Sequence, residues 1–225
     1  MPVIFTNNQK PYRERKVRVL NGAHTASVLA GYLYGIDIVR DCMEDEVMGE
    51  FVRRVVTEEI VPVVKLPLKE VIKFANSVFE RFENPFIDHQ LLSISLNSVS
   101  KWKARVLPSF KDNYEKNGVC PRLITFSFAA LAAFYSSSDL RDNGLYAKRQ
   151  NGDEYIIHDD TAVLEFFAEN NKKSDFINRL CAKKGFWGED LSLYGDFVKQ
   201  VEFWYKEIMC DISSALKKVL LKSDV

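Results

Sequence analysis

Apolar positions along this chain recur mostly at intervals of three and four, the period of a helix and not of a strand. From about Tyr12 to Tyr34 the repeat is carried by Val17, Leu20, Ala23 or His24, Ser27-Val28 and Gly31, and Gly35 supplies a stop. Val47, Phe51, Val55 and Ile60 predict a second helix from about Asp45 to Val61, closed by Pro62 and Pro67. Leu68, Ile72, Ala75, Phe79 and Phe82 define the apolar face of a third, which starts just after Pro67 and ends at Asn84-Pro85. Residues 87–102 read as one further helix. Pro121 opens an almost wholly apolar helix, and Asp160 caps a short one through Phe167. Another runs from Asp175 to Lys184 before Gly185. A single long helix then carries Phe197, Val201, Trp204, Ile208, Ile212, Leu216 and Val219.

One β signal interrupts the series. Tyr146 to Gln150 and Glu154 to Ile157 flank Asn151-Gly152, a favoured two-residue hairpin turn. Residues 1–11 read as a strand or linker, with Val3-Ile4-Phe5 followed by Asn7-Asn8 and Pro11. The fold class is therefore mainly α: one multi-helical domain over residues 12–225 with a small β-hairpin inserted. Trp102, Trp187 and Trp204 fall within helical patterns and belong to its core.

Composition adds exclusions. Lys+Arg and Asp+Glu both number 31, so the 225-residue chain has no net field to draw in nucleic acid or an anionic membrane surface. The longest apolar run, Leu123 to Tyr135, is well short of the ~20 residues a membrane span needs. No secretory leader pattern opens the sequence, which points to the cytoplasm. Cys42, Cys120, Cys181 and Cys210 are widely spaced and read as buried free thiols. The Cys and His residues show no metal-ligand spacing, so no metal is expected.

The candidate chemistry lies near the start. Lys16, Asn21 and His24 are the side-chain types that handle a proton and an oxyanion at a carbonyl. In a helix of about 100° per residue Asn21 and His24 lie one turn apart, and Lys16 falls within an arc of roughly 140° that holds all three. Arg13, Arg15 and Arg18 flank Lys16 and are available to lower its proton affinity.

Lys16-x4-Asn21-x2-His24 resembles the signature of the polyol-specific long-chain dehydrogenases, the mannitol dehydrogenase family. The fuller string is Pro11-Tyr12, Arg15-Lys16-Val17-Arg18 and Leu20-Asn21-Gly22-Ala23-His24-Thr25. It is most similar to the branch that interconverts tagaturonate and altronate. Arg81-Phe82-Glu83-Asn84-Pro85-Phe86-Ile87 resembles a second family segment. The resemblance implies a helical C-terminal domain of the 6-phosphogluconate dehydrogenase type. It also implies Lys16 as acid/base, Asn21 as oxyanion stabiliser and His24 as substrate-orienting group. Lys101 stands where the family's distal substrate-binding lysine is expected, with Lys103 and Arg105 as further candidates for a sugar-acid carboxylate.

Mannitol dehydrogenases usually have an arginine where this chain has Ser93 and an aspartate where it has His89, which speaks against a plain polyol. His89 and His158 are weaker candidates, His158 reading as a capping or surface residue. The implied cofactor is NAD, held mainly by an N-terminal Rossmann domain. No GxGxxG can be drawn from the glycines here, so the chain is expected to be the C-terminal part of a longer enzyme, with that domain and a sugar acid as its partners. A fructuronate- or mannitol-type dehydrogenase is the nearest alternative, and a helical interaction module without activity is the alternative of another class.

Overall fold

The first long helix, α1 (residues 10–34), changes pitch within itself. The computed structural model describes residues 7–221, and in it Lys10–Arg15 is α-helical, Lys16–Asn21 is a π-helix, and Gly22–Tyr34 returns to α. Pro11 sits in the first turn, where its missing N–H costs nothing, so the helix starts two residues earlier than the apolar repeat predicts. The rest of the stretch read as a strand or linker, residues 1–6, lies outside the described residues. Gly35 ends the helix in the left-handed region (φ 107°) as expected.

A short helix absent from the sequence reading, α2 (Val39–Glu44), precedes α3 (residues 46–63). Asp45 caps α3 by accepting from the Met48 amide. Its middle, Val55–Ile60, is a second π segment packed against the first. The third predicted helix is α4 (Leu68–Phe82). Leu68 and Ile72, assigned to its core face from spacing, are in fact largely exposed and line an apolar groove with Val61 and Val64.

Residues 87–102 are not one helix. The chain forms α5 (Leu91–Ser95), turns at Leu96 and Asn97, and resumes as α6 (Ser98–Arg105). Asn97 is left-handed (φ 53°), a conformation Asn tolerates better than most residues, and it resets the helix direction. After α7 (Leu107–Asn117) comes α8 (Arg122–Phe134), the apolar helix, with every residue from Leu123 to Phe134 buried. A helix apolar all round must be surrounded, and α8 is, chiefly by α1 and by α12 (Phe197–Cys210). No helix of the described residues is long and apolar enough to cross a membrane.

The β element is larger than a hairpin. Strands β1 (Asp139–Arg141), β2 (Gly144–Lys148) and β3 (Glu154–Ile157) form an antiparallel sheet in that order. Arg149 and Asp153 still pair beyond the strand ends, so the turn holds Gln150, Asn151 and Gly152, one residue more than predicted, with Gly152 at φ 95°. Next, α9 (Thr161–Asn170) runs past Phe167, and Asp160 occupies its cap position without a side-chain cap bond. The helix expected to end at Gly185 is two, α10 (Phe176–Cys181) and α11 (Lys184–Trp187), the second ending at Gly188. The long terminal helix also divides, into α12 and α13 (Ile212–Leu220). Asp211, extended, breaks the first and caps the second through the Ser213 amide.

Trp102 and Trp187 are fully buried and stack edge-on with each other and with Phe128, and Trp204 is nearly so. Cys42, Cys120 and Cys181 are buried free thiols, whereas Cys210 is exposed because it lies on the outer side of α12 at its last turn.

Glu59, within the second π segment, is the most unusual carboxylate of the core. Its two oxygens accept the amides of Leu123 and Ile124 at 2.9 and 2.8 Å, satisfying the start of α8. Burial outweighs those bonds and lifts its pKa from 4.5 to about 7. The folded state therefore binds this proton more tightly than the unfolded state between pH 4.5 and 7, and stability falls as pH rises through that window. His24 contributes the opposite slope from about pH 3 to 6.5, so Glu59 is read by difference. Urea titrations of wild type and Glu59→Gln should show the variant gaining stability relative to wild type as pH rises from 4.5 to 7; parallel curves would show that Glu59 does not titrate there.

Candidate active site

The π segment sets the first half of the site. Its hydrogen bonds span five residues, so Lys16 and Asn21 fall nearer one face than the ~140° an α-helix would leave between them. This replaces the regular spacing assumed from the sequence. Arg18 holds the widened turn in place. It is 2% exposed and donates to Ser109 Oγ (3.0 Å), Val63 O (3.2 Å) and Asp112 Oδ2 (2.6 Å), tying α1 to α7 and to the end of α3. Arg15 lies over the Phe74 ring. Arg18 and Arg15 are thus engaged elsewhere, and the cationic side chains that meet Lys16 at the site are Arg81, Lys101 and Arg105.

The second half comes from α6. A Cβ on Gly22 would stand 3.2 Å from Arg105 O, so the bare glycine lets the end of α6 close onto α1. Between them lies a cavity of about 390 Å³ lined by Lys16, Asn21, His24, Lys101 and Arg105 together with Arg81, His89 and Ser93. Five of the six side chains singled out from the sequence are therefore gathered at one place. Lys103 is not. It is exposed, with its Cε and Nζ lying over Gly188, because the helical turn that brings Lys101 and Arg105 to the cavity carries Lys103 away from it.

His24 is packed edge-on against Phe82 (ring centroids 4.1 Å) and lies 5.4 Å from His89. Burial, then the charges of His89, Arg105 and Arg81, push its pKa down to about 3, so its ring is neutral at pH 7. Its Nδ1 is buried without a hydrogen-bond partner among the described residues. An unpaired polar atom of this kind belongs at a site more readily than in a core. Lys101 Nζ donates to Ile94 O at 2.9 Å, and burial and then Arg105 draw its proton affinity down, with Asp159 partly restoring it. Arg105 donates to Thr25 Oγ1 at 3.4 Å.

Among the described residues, four cationic side chains and no carboxylate line the cavity. None of the ion pairs of the described residues involves Lys16, Arg81, Lys101 or Arg105. Elsewhere on the surface arginines find acids, as Arg53 finds Glu83 and Arg40 finds Asp88. Lys101 and Arg105 are also four apart on one helix, an arrangement that like charges disfavour. Such a cavity holds positive charge that no acid among the described residues offsets. Arg81 was legible only as part of a family motif, since an exposed cation at a helix end gives no signal of its own in the sequence.

Residues 8–209 match the model of the mannitol dehydrogenase C-terminal domain. The chain belongs to that family. Among the relatives of this mannitol dehydrogenase C-terminal domain is altronate oxidoreductase of Yersinia pestis bv. Antiqua (strain Nepal516), 40% identical over 207 residues, which cover 88% of this chain and 41% of that protein. Altronate oxidoreductase of Halalkalibacterium halodurans is 39% identical over 203 residues, covering 87% and 40% respectively. The chain thus spans about two-fifths of the length of the curated relatives it matches. Among solved structures it is similar to Pseudomonas fluorescens mannitol 2-dehydrogenase, a ternary complex with NAD and D-mannitol. That match has a TM-score of 0.83 at 24% identity over 99% of this chain and 43% of that one. A D-sorbitol dehydrogenase in substrate-free form follows, with a TM-score of 0.77 at 20% identity, covering 96% and 42%. At these identities the two structures establish the mannitol dehydrogenase C-terminal fold.

Proposed function

We propose that this domain is the substrate-binding and catalytic part of an NAD-dependent oxidoreductase that interconverts tagaturonate and altronate. The observation that carries the reading is the cavity around Lys16, Asn21 and His24, where four cationic side chains meet no carboxylate of the described residues. Relatives named altronate oxidoreductase, at about 40% identity, support the same substrate class. A neutral polyol gives four cations no counter-charge; a hexuronate carboxylate does.

In the direction of reduction NADH, when bound to the whole enzyme, would supply a hydride for the carbonyl carbon. The described residues hold a three-stranded antiparallel sheet and no strand, glycine-rich turn and helix that would cradle a pyrophosphate, so the cofactor is assigned to a part of the enzyme outside them, a Rossmann domain on the N-terminal side. The chain's own residues handle the oxygen. Lys16 delivers a proton to the developing alkoxide and takes one back in the reverse reaction. The Asn21 amide donates to the same oxygen, and neutral His24 orients a neighbouring hydroxyl without adding charge. Arg105 and Lys101, with Arg81, meet the carboxylate.

Two measurements test this. The full-length protein should oxidise NADH when given tagaturonate, and should do so with higher kcat/KM than for fructuronate or fructose. Preference for fructose would overturn the assignment to a sugar acid. NADH titrated into this chain alone should show no binding at micromolar concentration.

A further inference from the structure

The start of α6 is held by groups from distant parts of the chain. A helix leaves its first amides without internal partners, and these are usually met by the side chain of the residue at the cap. Here the cap residue is Asn97, left-handed, and its side chain makes no such bond. Instead the Asn97 amide donates to His158 O (3.1 Å), the Ser98 amide to Tyr135 Oη (3.2 Å) and the Val99 amide to Asp159 Oδ2 (3.4 Å). Tyr135 Oη in turn donates to that same Asp159 oxygen at 2.6 Å, and Asp159 Oδ1 accepts the Asp160 amide at 2.8 Å. Tyr135 closes the central helix α8, and Asp159 follows the last strand of the sheet.

We propose that Asp159 and Tyr135 are positioning residues that fix the start of α6, and through it the places at which Lys101 and Arg105 meet the substrate. The proposal rests on the functional reading above, and it extends the working part of the molecule to the β-sheet, which otherwise touches none of the cavity. Each element of the linkage is needed. Without Tyr135 Oη the Ser98 amide is buried unpaired, since Ser98 is itself 2% exposed. Without the Asp159 carboxylate the tyrosine hydroxyl and the Val99 amide lose their shared acceptor. Asn97, held in the left-handed region, is then free to relax and take the first turn with it. Asp159 also acts on Lys101 by charge, countering the effects of burial and of Arg105 on its ammonium. Tyr135 remains protonated, because burial and Asp159 raise its pKa well above the ordinary value, and so stays a donor.

The test uses Tyr135→Phe and Asp159→Ala in the full-length enzyme. With tagaturonate, each should raise KM about tenfold or more while kcat stays within about threefold, because Lys16, Asn21 and His24 stand on α1 and are not held by this linkage. A merely structural role would lower Tm and the active fraction, so that apparent kcat falls at unchanged KM, and that outcome overturns the proposal. A second readout is independent of the substrate. With lysines reductively dimethylated by a 13C reagent, which keeps their charge, the Lys101 methyl resonance should be displaced in both variants while that of Lys16 stays in place. An unmoved Lys101 resonance would overturn the proposal whatever the enzyme acts on, and failure of the wild type on tagaturonate with displaced resonances would overturn only the substrate.

Discussion

Replacing Lys16 with alanine in the full-length protein is expected to lower kcat by about 10²- to 10⁴-fold, the usual worth of a positioned general acid or base, with little change in KM for the sugar acid. Lys16 begins the π segment, which turns it toward Asn21 at the cavity, and no carboxylate of the described residues pairs with it. On the proposed chemistry the ground-state carbonyl gains little from Lys16, whereas the alkoxide that forms needs its proton, so the expected loss falls on the transition state. Steady-state kinetics of wild type and Lys16→Ala check this. A variant that keeps wild-type kcat would remove Lys16 from the chemistry and bring the non-catalytic interaction module back into consideration.

The second large effect is expected at Arg105. Arg105→Ala should raise KM for tagaturonate by about 10- to 100-fold, equivalent to the roughly 1.5–3 kcal/mol of a hydrogen bond to a charged group, and leave the much weaker turnover of fructose nearly unchanged. Its guanidinium is only lightly engaged by Thr25, so its donors are available, and a planar fork suits a carboxylate better than an ammonium does. Arg81→Ala should move KM in the same direction by less, because Arg81 is exposed at the end of α4 and its charge is better screened. Equal losses on acid and neutral ketose would show that these arginines shape the cavity and do not read the carboxylate.

Which parts of this were legible in the sequence follows from the range of each interaction. Helix α8 was fully readable because an apolar run bounded by Pro121 carries its own burial signal. The stops at Gly35 and Asn84-Pro85 were readable for the same reason, being local backbone preferences. The break at Asn97 was not, since the residue follows a helix-like pattern and its turn is sustained by Tyr135 and by the His158-Asp159 corner, 38 to 62 residues away. Strand β1 escaped notice because Asp139-Leu140-Arg141 is exposed throughout and shows no alternation. The π segments escaped because periodicity over six residues cannot distinguish five-residue from four-residue bonding.

The site divides in the same way. Lys16, Asn21 and His24 are close in sequence and could be proposed together from spacing and resemblance. Lys101 stands where the resemblance places a substrate-binding lysine, Arg105 is a further candidate on the charge of a sugar acid, and the fold brings both to the same cavity. Lys103 is a candidate on the same charge argument as Arg105, but the helix turns it outward, over Gly188. The cationic environment came from a different source than the flanking arginines suggested. Arg18 is a buried tie between helices, and Arg81, 65 residues beyond Lys16, supplies charge at the cavity in its place.

The most direct test of the central claim is a crystal structure of the full-length Lys16→Ala enzyme with NADH and tagaturonate, a combination expected to bind without turning over. The account predicts the sugar acid in the cavity between α1 and α6. Its keto oxygen should lie within hydrogen-bond reach of the Asn21 amide and its carboxylate against Arg105 and Lys101. Tagaturonate bound elsewhere, or bound here with its carboxylate turned away from those cations, would contradict it.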